Sequence, residues 1–188
     1  MGHSDLAHYI RTYDDDLEPV FCRRLVDSFN SLSRFHKPSG RGHRLGLEES
    51  AWTELDVSAL SDASFLGFFR TRIDLALERY NRDVGLAIGV PNSAKTAELI
   101  LKRYRAGFNE QFQPHFDSVH QVANRYFVLI WYLNDVAEGG ETVFPQLDIR
   151  ISPRQGRLLV FPPYWMFQHA GLPPVSGEKY IMSTYLLF

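Results

Sequence analysis

The sequence predicts a mainly β protein, an antiparallel sandwich or jelly roll with N-terminal helices packed on one of its sheets. Helical periodicity is confined to the first half of the chain, short strand-like runs fill the second half, and turn residues separate those runs. Because helices do not alternate with the strands, a doubly wound parallel sheet is disfavoured. We expect one domain over residues 1–188, in which 1–96 form a helical support with a long connection and 97–188 form the jelly roll.

Two helices are predicted in the first half. The first begins at Glu18-Pro19, since proline is tolerated in the first helical turn, and apolar residues recur at helical spacing through residues 20–32. The second begins after Asp62, a residue type that caps helix N-termini, and carries an apolar stripe over residues 65–80. These stripes are the surfaces expected to pack on the sheet.

Residues 33–58 separate the two helices and contain glycines, serines and basic residues, with Trp52 as a lone apolar anchor. We interpret them as a long irregular connection, and loops of this length often cover a functional site. A lid role for this segment is left open. His36 and His43 lie within it, and nothing in the sequence requires either of them to reach a site.

From about residue 97 the pattern changes to short apolar runs. Turn signals separate them, such as the glycine pair Gly139-Gly140, which permits a tight turn before strand alternation resumes at Thr142. The predicted strands cover residues 99–104, 125–133, 149–151, 157–161 and 179–187.

Composition and charge exclude several classes of protein. The formal net charge is -2 and the 20 Lys and Arg are scattered, so neither nucleic acid nor a membrane surface is expected as a partner. The longest apolar run, residues 126–133, is too short to cross a bilayer. The single cysteine, Cys22, excludes an internal disulfide, and with no signal-peptide pattern we expect a cytoplasmic protein.

The motif His115-Phe116-Asp117 is the first candidate for chemistry. Residues two apart on a strand face the same side, so His115 and Asp117 can reach one point. His169, which follows an aromatic run, is the natural third ligand. Two histidines and one carboxylate on one face of a metal, with open positions, form the ligand set of non-haem Fe(II) oxygenases. The same three ligands also suit a hydrolytic zinc site, and the pair alone equally fits a surface histidine beside a carboxylate.

Lys179 is the second candidate, at the start of an apolar strand ten residues after His169. A lysine that points into a barrel is costly unless it meets an anion. A dicarboxylate that chelates the metal with one carboxylate would place its second carboxylate, an anion, beside the lysine. The competing interpretation is a solvated lysine after the Ser176-Gly177 turn.

Residues 99–188 resemble the catalytic core of the prolyl 4-hydroxylase-like branch of the Fe(II)/2-oxoglutarate dioxygenases. Each matching segment alone is weak evidence for the family, but the order and spacing of the whole series are specific. The series covers about half of the chain. The segments are Tyr104 with Gly107, His115-Phe116-Asp117, Tyr132 to Val136, Gly139 to Pro145, Pro153 with Gly156, Leu159 to Pro162, His169-Ala170-Gly171 and Gly177 to Ile181.

The resemblance implies a double-stranded β-helix that holds Fe(II) through His115, Asp117 and His169. It also implies that Lys179 binds the distal carboxylate of 2-oxoglutarate. The reaction consumes O₂ and hydroxylates a carbon, and ascorbate is expected to stimulate it. The presence of Asp117 favours hydroxylation over halogenation, because halogenases of this class lack the carboxylate.

Four further residues receive roles from the same resemblance. Tyr132 supports the distal carboxylate, Tyr104 and Thr142 line the pocket, and Arg125 contacts peptide substrate in some members. For Tyr132 a core position, and for Arg125 the edge of a strand, are the simpler interpretations.

One departure concerns the substrate. Members that act on peptidyl proline often carry a tryptophan six residues after the lysine, where this chain has Tyr185. The substrate, a peptide or a small molecule, is therefore left open between a prolyl residue, a free amino acid and a metabolite, as is the oligomeric state. A zinc hydrolase and a jelly-roll binding module without turnover are the alternatives from other classes.

Overall fold

The computed structural model describes residues 5–188, which form two α-helices, eleven strands and short 3-10 turns. The helices are α1 (Pro19–Ser31) and α2 (Ala63–Val84). The strands are β1 (Arg11–Tyr13), β2 (Lys37–Gly40), β3 (Ala51–Asp56), β4 (Ile100–Tyr104), β5 (Phe112–His115), β6 (Arg125–Tyr132), β7 (Thr142–Phe144), β8 (Ile149–Ile151), β9 (Leu158–Phe161), β10 (His169–Gly171) and β11 (Lys179–Leu187). Within these residues, no helix has both the length and the apolarity needed to cross a membrane.

Two antiparallel sheets face each other. The larger has seven strands in the order β1-β9-β6-β11-β4-β3-β2, and the smaller has four in the order β5-β10-β7-β8. Side chains from both sheets meet between them, as where the rings of Phe144 and Phe161 lie 5.0 Å apart edge to face. This arrangement confirms the predicted double-stranded β-helix.

Strand β6 explains why its sequence reads as a continuous apolar run. Phe127, Leu129 and Trp131 belong to the core under the helices, whereas Val128 and Ile130 belong to the core between the sheets. A strand covered on both faces has no solvent side and therefore no polar alternation.

Both helices begin where the sequence predicts. The Asp62 side chain accepts a hydrogen bond from the Phe65 backbone N–H (2.8 Å), and α2 ends at Gly85, whose φ of 67° is left-handed. Phe69 of α2 packs edge to face on Trp131, with ring centroids 5.3 Å apart. The helices therefore cover the outer face of the large sheet.

The irregular connection predicted for residues 33–58 is wrong. This segment contains β2 and β3, which pair as a hairpin and extend the large sheet, with β3 beside β4. Trp52 is a buried strand residue and contacts Phe112, at a ring separation of 4.6 Å. Pro38 and the polar residues of β3 hide the strand pattern, and their conformation depends on pairing with β4, which is distant in sequence.

Candidate active site

A pocket lies between the two sheets, and β11 lines one of its walls. Lys179, Ile181, Ser183 and Tyr185 all face it. Side chains two apart point to the same face of a strand, so one strand supplies four of the lining side chains. The adjacent ends of β5 and β10 contribute the histidines described next.

Three candidate metal ligands meet at these strand ends. His115 ends β5, His169 begins β10, and the two lie directly opposite in the register of that pair. The Asp117 carboxylate has one oxygen 3.6 Å from His115 Nε2 and the other 3.4 Å from His169 Nε2. One potential ligand atom from each residue lies within 4.8 Å of the others. The structure thus brings together the three residues that the sequence singled out.

Backbone contacts orient both imidazoles. His115 Nδ1 lies 2.8 Å from the Gln113 carbonyl oxygen, and His169 Nδ1 lies 3.1 Å from the Phe167 carbonyl oxygen. A carbonyl only accepts, so each Nδ1 carries the proton and each Nε2 keeps a lone pair. Burial, and secondarily the neighbouring His115, lowers the pKa of His169 to about 4. His169 is therefore a neutral donor at pH 7.

Asp117 is buried and only half satisfied. One carboxylate oxygen accepts a hydrogen bond from the Tyr185 hydroxyl (2.8 Å), while Oδ2 is buried without a hydrogen-bond partner. Burial raises the pKa of Asp117, but the two histidines and the Tyr185 hydroxyl outweigh it and hold the pKa below its ordinary value. An ionised oxygen without a partner is costly unless a cation meets it. The donor set therefore fits a divalent metal.

Lys179 lies in the same pocket and is 2% exposed. Its Nζ is 5.2 Å from the centre of the Tyr104 ring and 5.8 Å from that of Tyr132. The ammonium makes no hydrogen bond or ion pair with any residue from 5 to 188, and burial lowers the pKa of Lys179 to about 7. Gly140 packs beside the lysine stem. A Cβ there would lie 3.4 Å from Lys179 Cδ, an ordinary van der Waals contact, so the left-handed φ of 76° is what favours glycine.

The other predicted lining residues lie around Lys179. Tyr104 is opposite it in the β4–β11 register, and both Tyr104 and Thr142 line the pocket. Tyr132 is fully buried and donates a hydrogen bond to Thr142 Oγ1 (2.6 Å). Tyr132 therefore holds the threonine in place and lies close to the lysine without lining the pocket itself.

The comparisons with known proteins agree with this geometry. Residues 99–187 match the model of the 2OG-Fe(II) oxygenase superfamily. This segment of the chain belongs to this superfamily. The matched segment contains the three candidate ligands together with Lys179, and it begins one residue before β4.

Individual relatives of this oxygenase are prolyl hydroxylases. The chain is 28% identical to probable prolyl 4-hydroxylase 11 of Arabidopsis thaliana over 148 residues, which is 73% of this chain and 50% of that protein. It is 27% identical to prolyl 4-hydroxylase subunit alpha-1 of Homo sapiens over 99 residues, 43% of this chain. That alignment spans only 18% of the human subunit.

A solved structure shares the fold over nearly the whole chain. It is a prolyl hydroxylase from Trichoplax adhaerens, in complex with a hypoxia inducible factor oxygen degradation domain peptide fragment. The TM-score is 0.72 at 12% identity, and the match covers 96% of this chain and 84% of that one. At this identity the likeness shows the fold alone, and it extends to the N-terminal half of the oxygenase.

Arg125, predicted to contact substrate, does not touch the candidate ligands and is linked to Asp117 through Tyr185. Its guanidinium lies 3.9 Å from the centre of the Tyr185 ring, and Tyr185 in turn holds Asp117. Arg125 does not line the pocket among the residues that the structure describes. His120, three residues after Asp117, is exposed and is not part of the ligand cluster.

Sequence reasoning missed how the N-terminal hairpin supports His115. The Phe112 ring stacks on the His115 imidazole (3.7 Å between centres, 13° between planes), and Trp52 packs behind Phe112. The Gln113 side chain accepts a hydrogen bond from Glu49 N–H (3.0 Å) and donates one to the Gly46 carbonyl (3.0 Å). The turn between β2 and β3 is thereby tied to β5, the strand that carries His115.

Lys102 is the second residue that was missed. It lies on β4 two residues before Tyr104, faces the same pocket, and is 9% exposed. Strand periodicity counted back from Tyr104 predicts this placement. The signal was available, but a lysine next to Arg103 in the sequence reads as part of a solvated edge.

Proposed function

We propose that this chain is an Fe(II)- and 2-oxoglutarate-dependent dioxygenase that hydroxylates an unactivated C–H bond. The observation that carries the proposal is the pairing of two features in one pocket. One is a His/Asp/His cluster with an unpartnered carboxylate oxygen, and the other is the unpartnered ammonium of Lys179. A site that takes a divalent metal and a dicarboxylate together satisfies both groups.

His115, Asp117 and His169 would hold the iron through two Nε2 atoms and one carboxylate, leaving the remaining positions open. When bound, Fe(II) with 2-oxoglutarate and O₂ supplies the oxidation, which releases succinate and CO₂ and transfers one oxygen atom to the substrate carbon. The chain supplies binding, orientation and exclusion of water.

Lys179 would bind the distal carboxylate of 2-oxoglutarate. Its burial makes a charge-assisted contact strong, because the surroundings of the ammonium screen the charge less than bulk water does. Tyr132 would support it by holding Thr142, whose hydroxyl lies at the same wall of the pocket. Tyr104 would pack its ring beside the lysine ammonium.

For the substrate we propose a prolyl residue, a proline-like compound or another small molecule. The prolyl hydroxylase relatives support a prolyl group. Tyr185, where peptidyl-proline members often carry tryptophan, argues for a differently shaped substrate. Arg125 would act on substrate through Tyr185, whose ring it covers. The cytoplasmic location stays a prediction from the sequence.

The zinc hydrolase and the bare binding module are not favoured. A hydrolytic zinc site needs no dicarboxylate, so it gives no reason to bury Lys179. The family match covers the ligands and the lysine together.

Succinate formation tests the proposal. Protein purified without oxygen is mixed with Fe(II), 2-oxoglutarate and ascorbate, air is admitted, and succinate is measured with and without L-proline and proline-containing peptides. We expect iron-dependent succinate that His115→Ala abolishes and His120→Ala, an exposed histidine, leaves unchanged. Iron-independent succinate, or none with any addition while zinc supports hydrolysis, would contradict the proposal.

A further inference from the structure

Lys102 is a second buried lysine in the pocket, and the proposed reaction gives it no role. It lies opposite Ile181 of β11, two residues along from the Lys179–Tyr104 pair. Two strand residues span about 7 Å, and Tyr185, further in the same direction, contacts Asp117. Lys102 therefore lies between the Lys179 end of the pocket and the Asp117 side.

No side chain from residues 5–188 makes a hydrogen bond or an ion pair with the Lys102 ammonium. Its Nζ lies over the rings of Trp52 and Phe112, 5.5 Å from each centre, and makes no hydrogen bond or ion pair there. Glu54 is its register partner on β3, but that carboxylate already binds Arg44 (2.8 Å) and the Trp52 indole N–H (2.7 Å).

Several charges act on Lys102 from the surrounding elements. Burial lowers the pKa of Lys102 to about 8, Glu54 and Asp117 raise it, and Arg44 and Arg125 lower it. Lys179 is a further cation in the same pocket. The ammonium form at pH 7 is thus held against a desolvation cost, which an anionic ligand would offset.

The charges of the proposed complex leave one cation without a partner. Fe(II) and Lys179 contribute three positive charges, two from the metal and one from the lysine. Asp117 contributes one negative charge and 2-oxoglutarate contributes two negative charges. That set is neutral. Lys102 then brings a positive charge into a desolvated pocket. Glu54 faces it across the strand pair but already binds Arg44 and Trp52, so the remaining reactant is the group free to contact it.

We propose that Lys102 binds a carboxylate of the primary substrate, so that the substrate class is a carboxylate-bearing molecule. The inference rests on the proposed function. The same chemistry would suit the carboxylate of 2-oxoglutarate beside its keto group. We assign Lys102 to the substrate, because in the proposed complex both carboxylates of 2-oxoglutarate already have partners. The carboxylate beside the keto group would bind the metal, and the distal carboxylate would bind Lys179.

Acetate is the probe for this subsite, with acetamide as its neutral isostere. Full-length protein is loaded with Mn(II), which is paramagnetic and inert to O₂ here, and with saturating 2-oxoglutarate. The relaxation of ¹³C-acetate by Mn(II) then reports binding near the metal without turnover. We expect saturable acetate binding, no acetamide binding, and a loss of acetate affinity of at least about tenfold in Lys102→Met, as for a charge-assisted contact.

Two matched variants complete the design. Lys102→Arg keeps the charge and should keep most of the acetate affinity. Lys95→Met removes an exposed lysine and should change nothing. Thermal melting and Mn(II) affinity establish that each variant is folded and loaded.

Each other outcome overturns the assignment. Acetate affinity that is unchanged in Lys102→Met means that acetate binds elsewhere, for example directly to the metal. No saturable acetate binding in the unmodified protein removes the subsite. Weaker 2-oxoglutarate binding in Lys102→Met assigns the lysine to the cosubstrate. If the unmodified protein binds neither Mn(II) nor 2-oxoglutarate before acetate is added, the proposed function itself fails, and the inference with it.

Discussion

The two faces of the large sheet are built from the same strands and serve opposite purposes. On β11, Tyr180, Met182 and Leu186 point outward into the apolar core beneath the helices. The alternate residues Lys179 and Ser183 point inward to the pocket. On β11 the outward side chains are mainly apolar and stabilise the fold, whereas the inward face also buries Lys179, a charge without a protein partner. Because alternate side chains of a strand point to opposite faces, one strand supplies residues for the core beneath the helices and residues for the pocket.

The outer face should dominate stability. Phe69→Ala removes a buried ring that packs on Trp131, and we expect the free energy of unfolding to fall by about 3–5 kcal/mol. Urea unfolding of the metal-free protein measures this. Mn(II) affinity, measured where the variant is still folded, should be unchanged, and a parallel loss of metal affinity would break the separation of the faces.

The inner face should dominate binding. Lys179→Met removes the ammonium and keeps much of the volume, so 2-oxoglutarate should bind roughly 10–100-fold more weakly, as for loss of a charge-assisted contact. Removing a desolvated charge should not lower the melting temperature of the ligand-free protein. Calorimetric titration with 2-oxoglutarate in the presence of Mn(II) measures the first effect. A destabilised variant with normal 2-oxoglutarate affinity would assign Lys179 to the fold.

Much of both faces was readable from the sequence. The outer residues follow from the apolar runs. His115 and Asp117 stand out by their two-residue spacing, and Lys179 as a charge at the start of an apolar strand. The β2–β3 hairpin was not readable, since its pairing with β4 is between residues distant in the chain. Lys102 was missed because its neighbour Arg103 masks the strand alternation. The packing of Trp52 behind Phe112 depends on the same hairpin.

Tyr185 tests how far the inner face is organised around the carboxylate. Tyr185→Phe removes the hydrogen bond to Asp117 Oδ1 and keeps the ring beneath Arg125. Loss of such a supporting contact costs about 10-fold in metal affinity, and stability should change little. Competition with a fluorescent chelator for Mn(II) measures the affinity. An unchanged affinity would mean that packing alone positions Asp117.

The smallest expected effect is the pH dependence of Lys179. Its pKa lies near 7 when buried, so the ammonium is lost and 2-oxoglutarate affinity falls as pH rises through that value. Lys179→Arg, which stays charged, should flatten this profile. Between about pH 7 and its ordinary pKa of 10.5 the unfolded chain binds more protons at this residue. The lysine therefore makes the ligand-free protein more stable as pH rises across this range, a trend absent in Lys179→Met.

The most direct measurement of the central claim is an anaerobic titration of the Fe(II) protein with 2-oxoglutarate, followed by its visible metal-to-ligand absorption band. The account predicts a saturable band in the unmodified protein, no band in a folded His169→Ala variant, and a higher half-saturation concentration in Lys179→Met. The absence of a band in the unmodified protein, or a band that survives in His169→Ala, would contradict it.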